Sequence, residues 1–247
     1  MPGKKTISED IFLSIMTCPR FYTLSYNPYK MDRSQSIALN GLKFFYQNLN
    51  KLYKGLDIDE LIKVSVLKSI GQKLQHELDS YKKSIKLYSY MFIYDFIKTY
   101  PLAEWEPVLI DVKVPVEPSG YLINFNYDFI LKSKKTSKLS VINFIHKLDH
   151  QIKNNLDYFQ SKAFLFYEKI YEPLGKPSLE FKCFYLPRYK HSSVKKRDTF
   201  VFIPINFSEK NNINFYINIF LNKVKLERNP FCLNYSCQVR KECYGNN

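Results

Sequence analysis

Apolar positions in the first hundred residues recur at spacings of three and four, the period of helices that bury one face. Ser8 stands as a cap ahead of Ile11, Phe12, Ile15 and Met16, and Pro19 then disturbs the run, so Cys18 falls at the helix end. Ser36 precedes a second run through Ile37, Leu42, Phe45, Tyr46, Leu49, Leu52 and Tyr53, which predicts a helix ending before Gly55. Asp57 followed by Glu60 has the form of a capping box and opens a third helix through Leu61, Val64, Leu67 and Leu74. A fourth helix is predicted over Ser84–Thr99.

The period changes after Pro101. Val108 to Val116 is rich in β-branched residues, Pro118-Ser119-Gly120 supplies a turn, and Tyr121 to Leu131 alternates. Lys132 to Lys138 forms a polar connection to a third strand, Leu139 to Ile145, which completes an antiparallel meander. Ile152, Leu156, Phe159, Ala163, Phe166 and Ile170 then mark one long helix with a single buried stripe. Two further strands, Leu179–Leu186 and Thr199–Ile205, flank a basic loop, and a last helix after Ser208 runs through Ile213, Ile217, Phe220 and Val224. No internal repeat or low-complexity linker interrupts the chain. The expectation is one α/β domain over 1–247: a mainly helical part at 1–100, the meander, long helix and two strands at 101–207, and a helix with a cysteine cluster at 208–247.

With 247 residues, of which 45% are hydrophobic and 17% aromatic, the chain can bury a large core. No apolar run approaches the roughly 20 residues that cross a bilayer, and Met1 to Asp10 lacks the apolar segment of an export signal, so a cytoplasmic protein without a membrane partner is expected, in the host cytoplasm if the genome is viral. Lys and Arg number 37 against 23 Asp and Glu, a net charge of +14 that attracts polyanions and makes DNA the expected partner. A lysine- and asparagine-rich, AT-biased genome would raise the charge without any partner. The basic connections hold the candidate phosphate contacts: Lys134, Lys135 and Lys138 in one, and Arg188, Lys190, Lys195, Lys196 and Arg197 in the other, with Tyr189 available to stack on a base. The bland alternative for each loop is a solvated basic surface.

Five cysteines in a chain without an export signal favour metal ligation over disulfides. Cys232, Cys237 and Cys243 cluster near the C-terminus and Cys18 lies near the N-terminus; four thiolates complete a tetrahedral set for an iron-sulfur cluster or for zinc, with four unrelated core thiols as the alternative. Such a centre would tie the two ends together. Cys183 is the spare thiol.

The order of a helix bearing Cys18-Pro19-Arg20-Phe21, a helical region, three strands, a long helix, two strands and three clustered cysteines resembles the PD-(D/E)XK nuclease superfamily, and within it the RecB/AddB-like branch with a four-cysteine 4Fe–4S cluster, to which CRISPR adaptation nucleases are similar. The resemblance runs over almost the whole chain. It implies a restriction-endonuclease-like mixed sheet flanked by helices, with Cys18, Cys232, Cys237 and Cys243 around a 4Fe–4S cluster, or zinc as the alternative. It also implies a Mg²⁺- or Mn²⁺-dependent site with an acid on the second strand and an acid-x-Lys triplet on the third.

Asp128 stands where the first acid belongs, but Asn143 and Ile145 stand at the second acid and the lysine, and Gly41-Leu42-Lys43-Phe44-Phe45 lacks the family's helical histidine. Gln160 stands at the position of a family glutamine, with a glutamine on a solvated helix edge as the equal alternative. Lys147 shares a strand face with Asn143 and could serve as a displaced lysine, with His146 or Asp149 nearby. Asp111-Val112-Lys113 has acid-x-Lys form but precedes the strand of Asp128, and reads better as a solvated strand face; His146 and His150 lack a third ligand. The expected function is therefore a DNA-binding or docking subunit of a larger nucleic-acid-processing or transcription assembly, on a nuclease fold that no longer cuts. The alternative is an active Mg²⁺- or Mn²⁺-dependent exonuclease with a rearranged site.

Overall fold

A computed structural model describes residues 5–17, 31–74, 77–145, 149–171, 178–185, 200–203 and 213–224. Its elements in chain order are β1 (Lys5–Ser8), α1 (Glu9–Thr17), α2 (Arg33–Gln47), α3 (Ile58–Ile70), α4 (Asp79–Thr99), β2 (Trp105–Val116), β3 (Tyr121–Ser133), β4 (Leu139–Ile145), α5 (Asp149–Phe166), β5 (Leu179–Tyr185), β6 (Phe200–Ile203) and α6 (Ile213–Lys223). The helical first part and the meander stand where the periodicities put them. Four boundaries differ in the helical part. α2 ends at Gln47, and a 3₁₀ turn over Leu49–Lys54 carries the chain to Gly55. Asp32 caps α2 in a capping box with Gln35, four residues ahead of Ser36. The third helix closes at Ile70 and passes into a 3₁₀ turn holding Leu74, and the fourth starts at Asp79 instead of Ser84.

The six strands form one mixed sheet. β2 pairs antiparallel with β3 over Ile123–Ser133, β3 pairs antiparallel with β4, β4 and β5 run parallel, and β6 lies beyond β5, antiparallel to it. α5 is the crossover that a parallel β4–β5 pair requires. The unforeseen strand is β1, which pairs parallel with Tyr121–Asn124 at the start of β3.

Helices cover both faces, giving two large cores among the described residues, with a small third cluster of Ile37, Leu74 and Ile85 between helices. On one face α1, α5 and α6 bury Phe12, Ile15, Tyr158, Phe166, Ile217 and Phe220 against Phe125, Tyr127, Val141 and Phe181. On the other, α2, α3 and α4 bury Leu42, Phe45, Leu61, Ile93 and Phe96 against Phe129, Ile142, Phe144 and Phe184. Gly41 lets α2 approach α3, since a Cβ there would lie 3.2 Å from the Ser69 hydroxyl.

The second core is largely aromatic. The Phe96 ring lies within 6 Å of those of Tyr46, Tyr100, Phe129, Phe144 and Phe184 and is 2% exposed. Phe96→Ala is expected to cost about 3–5 kcal/mol of stability and Phe96→Leu far less; equal urea midpoints for the two variants would show that the ring cluster does not carry this face.

Candidate functional site

β3 has an unusual edge. Its start is covered by β1 at Tyr121–Asn124 and its end by β4 at Phe129–Lys132, and between them, among the described residues, no strand lies beside 125–128 on that side. β4 diverges after Ile142, so the sheet forks there. Backbone groups in the fork still need partners, and side chains supply them. Asn126 N–H donates to Glu9 Oε2 at 2.8 Å, Asn126 C=O accepts from Asn143 Nδ2 at 2.7 Å, and Phe144 N–H donates to Asp128 Oδ2 at 2.8 Å. Asp128 and Asn143, the two positions singled out on β3 and β4, thus face the same fork, both buried.

Across one mouth of the fork lies α2. Its Lys43 Nζ stands 2.8 Å from Asp128 Oδ1 and 2.6 Å from Asp111 Oδ1, with the Lys43 side chain 15% exposed. Burial would lower the Lys43 ammonium, but Asp128 first and Asp111 with it outweigh burial and hold it above the ordinary lysine value. Asp111 reaches it through a left-handed backbone, φ 57°, a conformation uncommon for any residue but glycine. The same kink inverts both strands. Val112, Val114 and Val116 pack toward the first core and Ile110 toward the second; opposite them, Phe125 and Tyr127 pack toward the first core and Phe129 and Leu131 toward the second. Asp111 and Lys113 are both exposed, as a solvated strand face requires, and Asp111 pairs with Lys43 from that position.

Across the other mouth lie α1 and α5. Glu9 Oε1 accepts from Lys162 Nζ at 2.7 Å and from Tyr158 Oη at 2.6 Å, and Lys162 Nζ also reaches Glu9 Oε2 at 2.9 Å. Tyr127 donates its hydroxyl to the Lys162 carbonyl at 2.7 Å. The Lys162 ammonium lies 5.0 Å from the Tyr127 ring centre. Burial, with the Glu9 carboxylate adding, drives the Tyr127 and Tyr158 hydroxyls well above the ordinary tyrosine value, so both remain donors. Cys183 sits opposite Asn143 on β5; burial pushes its thiol up to about 12 against the pull of Lys162, which makes it an inert core thiol. The amide oxygens of Asn126 and Asn143 are buried with no hydrogen-bond partner among the described residues.

Glu9, Lys43 and Lys162 were not singled out from the sequence, yet two of them carried a signal. Lys43 lies four residues after Leu39 and three before Tyr46, and Lys162 three after Phe159 and four before Phe166; all four apolar partners are buried. A lysine on a buried helical stripe demands a carboxylate. Glu9 follows Ser8 and reads as an ordinary acidic first turn.

Of the meander lysines, Lys138 pairs with Glu180 and Lys134 donates to the Leu102 carbonyl at 2.8 Å, while Lys135 is exposed. Burial would raise the Glu180 carboxyl, but Lys138 and Lys182 hold it below its usual range. Two of these three candidate phosphate contacts therefore already have partners within the fold. Gln160 is half-buried on α5. Ile145 packs on the first core and Phe45 in the second, so the two do not meet. Lys147, His146, the loop with Arg188, Tyr189, Lys190, Lys195, Lys196 and Arg197, and the cysteines Cys18, Cys232, Cys237 and Cys243 lie outside the described residues, as does the side chain of Asp149. Among the described residues no three His, Cys, Asp or Glu converge to hold a metal, and no helix is long and apolar enough to cross a membrane.

The Glu9–Lys162 pair is nearly dry, with side chains 11% and 3% exposed. Removing one buried partner strands the other charge, so Glu9→Gln and Lys162→Met are each expected to destabilise by about 3 kcal/mol or more, and the double variant by clearly less than their sum. A double-mutant cycle in urea measures this; strictly additive losses would mean that the two charges are not coupled.

No protein-family model and no curated protein matches the chain, so what the fork does is argued from its own geometry.

Proposed function

We propose that this protein binds nucleic acid on a nuclease-like fold without cutting it, as a DNA-binding or docking subunit of a larger assembly. One observation carries this: the ammonium of Lys43 stands between Asp111 and Asp128 at the fork. A phosphodiesterase site of the two-carboxylate kind needs its acids to hold a hard divalent cation against the phosphate, with a positive group left over for the developing charge. Here the cation between the acids is a tethered lysine. Both oxygens of Asp128 are in use, one on Lys43 and one on the Phe144 amide. Asn143 brings no charge, and its amide is spent on the Asn126 carbonyl.

Binding would come from the net charge of +14. Lys135, with Arg188, Lys190, Lys195, Lys196 and Arg197, would contact phosphates and Tyr189 would stack on a base, while Lys134 and Lys138 would first have to leave their partners within the fold. Labelled single- and double-stranded DNA should bind with an affinity that falls steeply with salt, and Lys195→Ala/Lys196→Ala/Arg197→Ala should flatten the log–log salt slope by about 0.9 on duplex and about 0.7 on single strands for each phosphate these side chains neutralise. The same DNA incubated with Mn²⁺ should stay intact. Degradation that disappears in Asp128→Ala would establish instead the rearranged nuclease, in which Asp111 supplies the second acid and Lys43 the lysine. That second reading is favoured by the same triad, since Asp111, Asp128 and Lys43 are two acids and a lysine brought together from different elements.

Cys18, Cys232, Cys237 and Cys243 are proposed to hold a 4Fe–4S cluster, with zinc as the alternative. Protein purified without oxygen should carry about four iron atoms per chain and lose them in Cys237→Ser. Neither iron nor zinc by elemental analysis would remove the centre.

A further inference from the structure

α3 and α4 form an antiparallel hairpin on α2. The Tyr94 hydroxyl donates to Asp59, which sets the end of α4 beside the start of α3, and the short connection 71–78 joins their other ends. Their outer face is more apolar than a solvated face should be. Eight large hydrophobic side chains are exposed among the described residues, and all but Phe215 belong to this hairpin: Ile58, Val64, Leu67, Leu78, Leu87, Met91 and Tyr94. Singly such residues need no explanation, but here they are concentrated. Leu87, Met91 and Tyr94 follow one another at four and three residues, so they form one ridge along α4. Leu87 and Met91 are 60% and 53% exposed, and Leu67 on the neighbouring helix is 45% exposed.

Charge on this face is divided between its two ends. Asp57, Asp59, Glu60 and Asp95 lie at one end with Lys98; Lys68, Lys82, Lys83 and Lys86 lie at the other with Asp79, and the exposed Lys63 stands between them on α3. A surface with an apolar middle, an acidic end and a basic end is complementary to itself when turned through 180°, which is what a two-fold interface requires. Helices of 13 and 21 residues are about 20 and 31 Å long, and side by side they offer on the order of 600 Å² per copy, the low end for a specific dimer.

We propose that the α3–α4 face is a homodimer interface, in which Leu67, Leu87 and Met91 of two copies meet about a two-fold axis and the acidic end of each copy lies over the basic end of the other. The net charge of each chain opposes association over long range, and screening at physiological salt, with a Debye length of about 8 Å, leaves the local complementarity to decide.

Sedimentation of the full chain should show a monomer–dimer equilibrium with a Kd on the order of 10 µM, as suits an interface of this size. Leu87→Asp/Met91→Asp should be monomeric and still unfold cooperatively, because both side chains are more than half exposed in the monomer, and should melt only slightly below the native chain at concentrations under the dimer Kd. Lys83→Glu/Lys86→Glu should weaken the dimer at least tenfold, and adding Glu60→Lys/Asp95→Lys to that variant should restore it, because the reversed face is again self-complementary. A chain that stays monomeric to about 100 µM, a dimer that survives Leu87→Asp/Met91→Asp, or a fourfold charge variant no better than the twofold one would each overturn the proposal.

Discussion

The fork in the sheet is the constraint from which the rest of the site follows. Between the segments covered by β1 and β4, the edge of β3 keeps backbone donors and acceptors that no strand among the described residues reaches. Leaving such groups unpaired in a core would cost about 1–3 kcal/mol each, so the fork can exist only where side chains stand in for a strand. Glu9, Asp128 and Asn143 do this, and two of them bring a negative charge. A buried carboxylate in turn needs a cation. Lys162 answers Glu9 from α5 and Lys43 answers Asp128 from α2, so the helical layers on opposite faces are each fastened to the fork by one ion pair.

These pairs contribute more to arrangement than to net stability. At 2.8 Å and an effective dielectric near 20, the attraction between Lys43 and Asp128 is about 6 kcal/mol. Taking each ion out of water costs several kcal/mol, which offsets most of that. What remains is specificity. A helix placed one turn out of register would leave both a buried ammonium and a buried carboxylate uncompensated, so α2 and α5 are held to one position on the sheet. The left-handed Asp111 belongs to the same arrangement, because the strand kink that turns its carboxylate to Lys43 also exchanges which core the flanking residues of β2 and β3 enter.

Much of the fold was legible because its signals are local. The spacing of Leu61 and its neighbours, the alternation in Tyr121 to Leu131 and the stripe through Phe159 and Phe166 each report one face of one element, and each element formed. β1 escaped because Lys5–Ser8 is only four residues long and pairs with a strand more than a hundred residues away. The inversion at Asp111 and Asp128 was illegible for a related reason: simple alternation counts residues, and a left-handed backbone shifts the count without altering composition. Asp128 and Asn143 were singled out through the family pattern they resemble, but the groups around them were not, since Glu9, Lys43 and Lys162 come from three different helices. A stricter use of burial would have found the two lysines, each spaced on an apolar stripe where a solvated charge does not belong.

A tethered ammonium and a divalent metal ion solve the same electrostatic problem in different ways. Either can neutralise carboxylates at a fork, but a metal ion has coordination positions left over and can give them to water and phosphate. An ammonium has three protons, and the two carboxylates take the directions that face the fork. The lysine is also part of α2, so it neither exchanges nor is diluted away, and its charge stays in place at any metal concentration. On the proposed reading, a chain that exchanged its metal for Lys43 would keep the kinked strands, the forked sheet and the basic exterior, because the lysine meets the structural requirement in full. It would lose only the open coordination sphere, and with it the means to activate water.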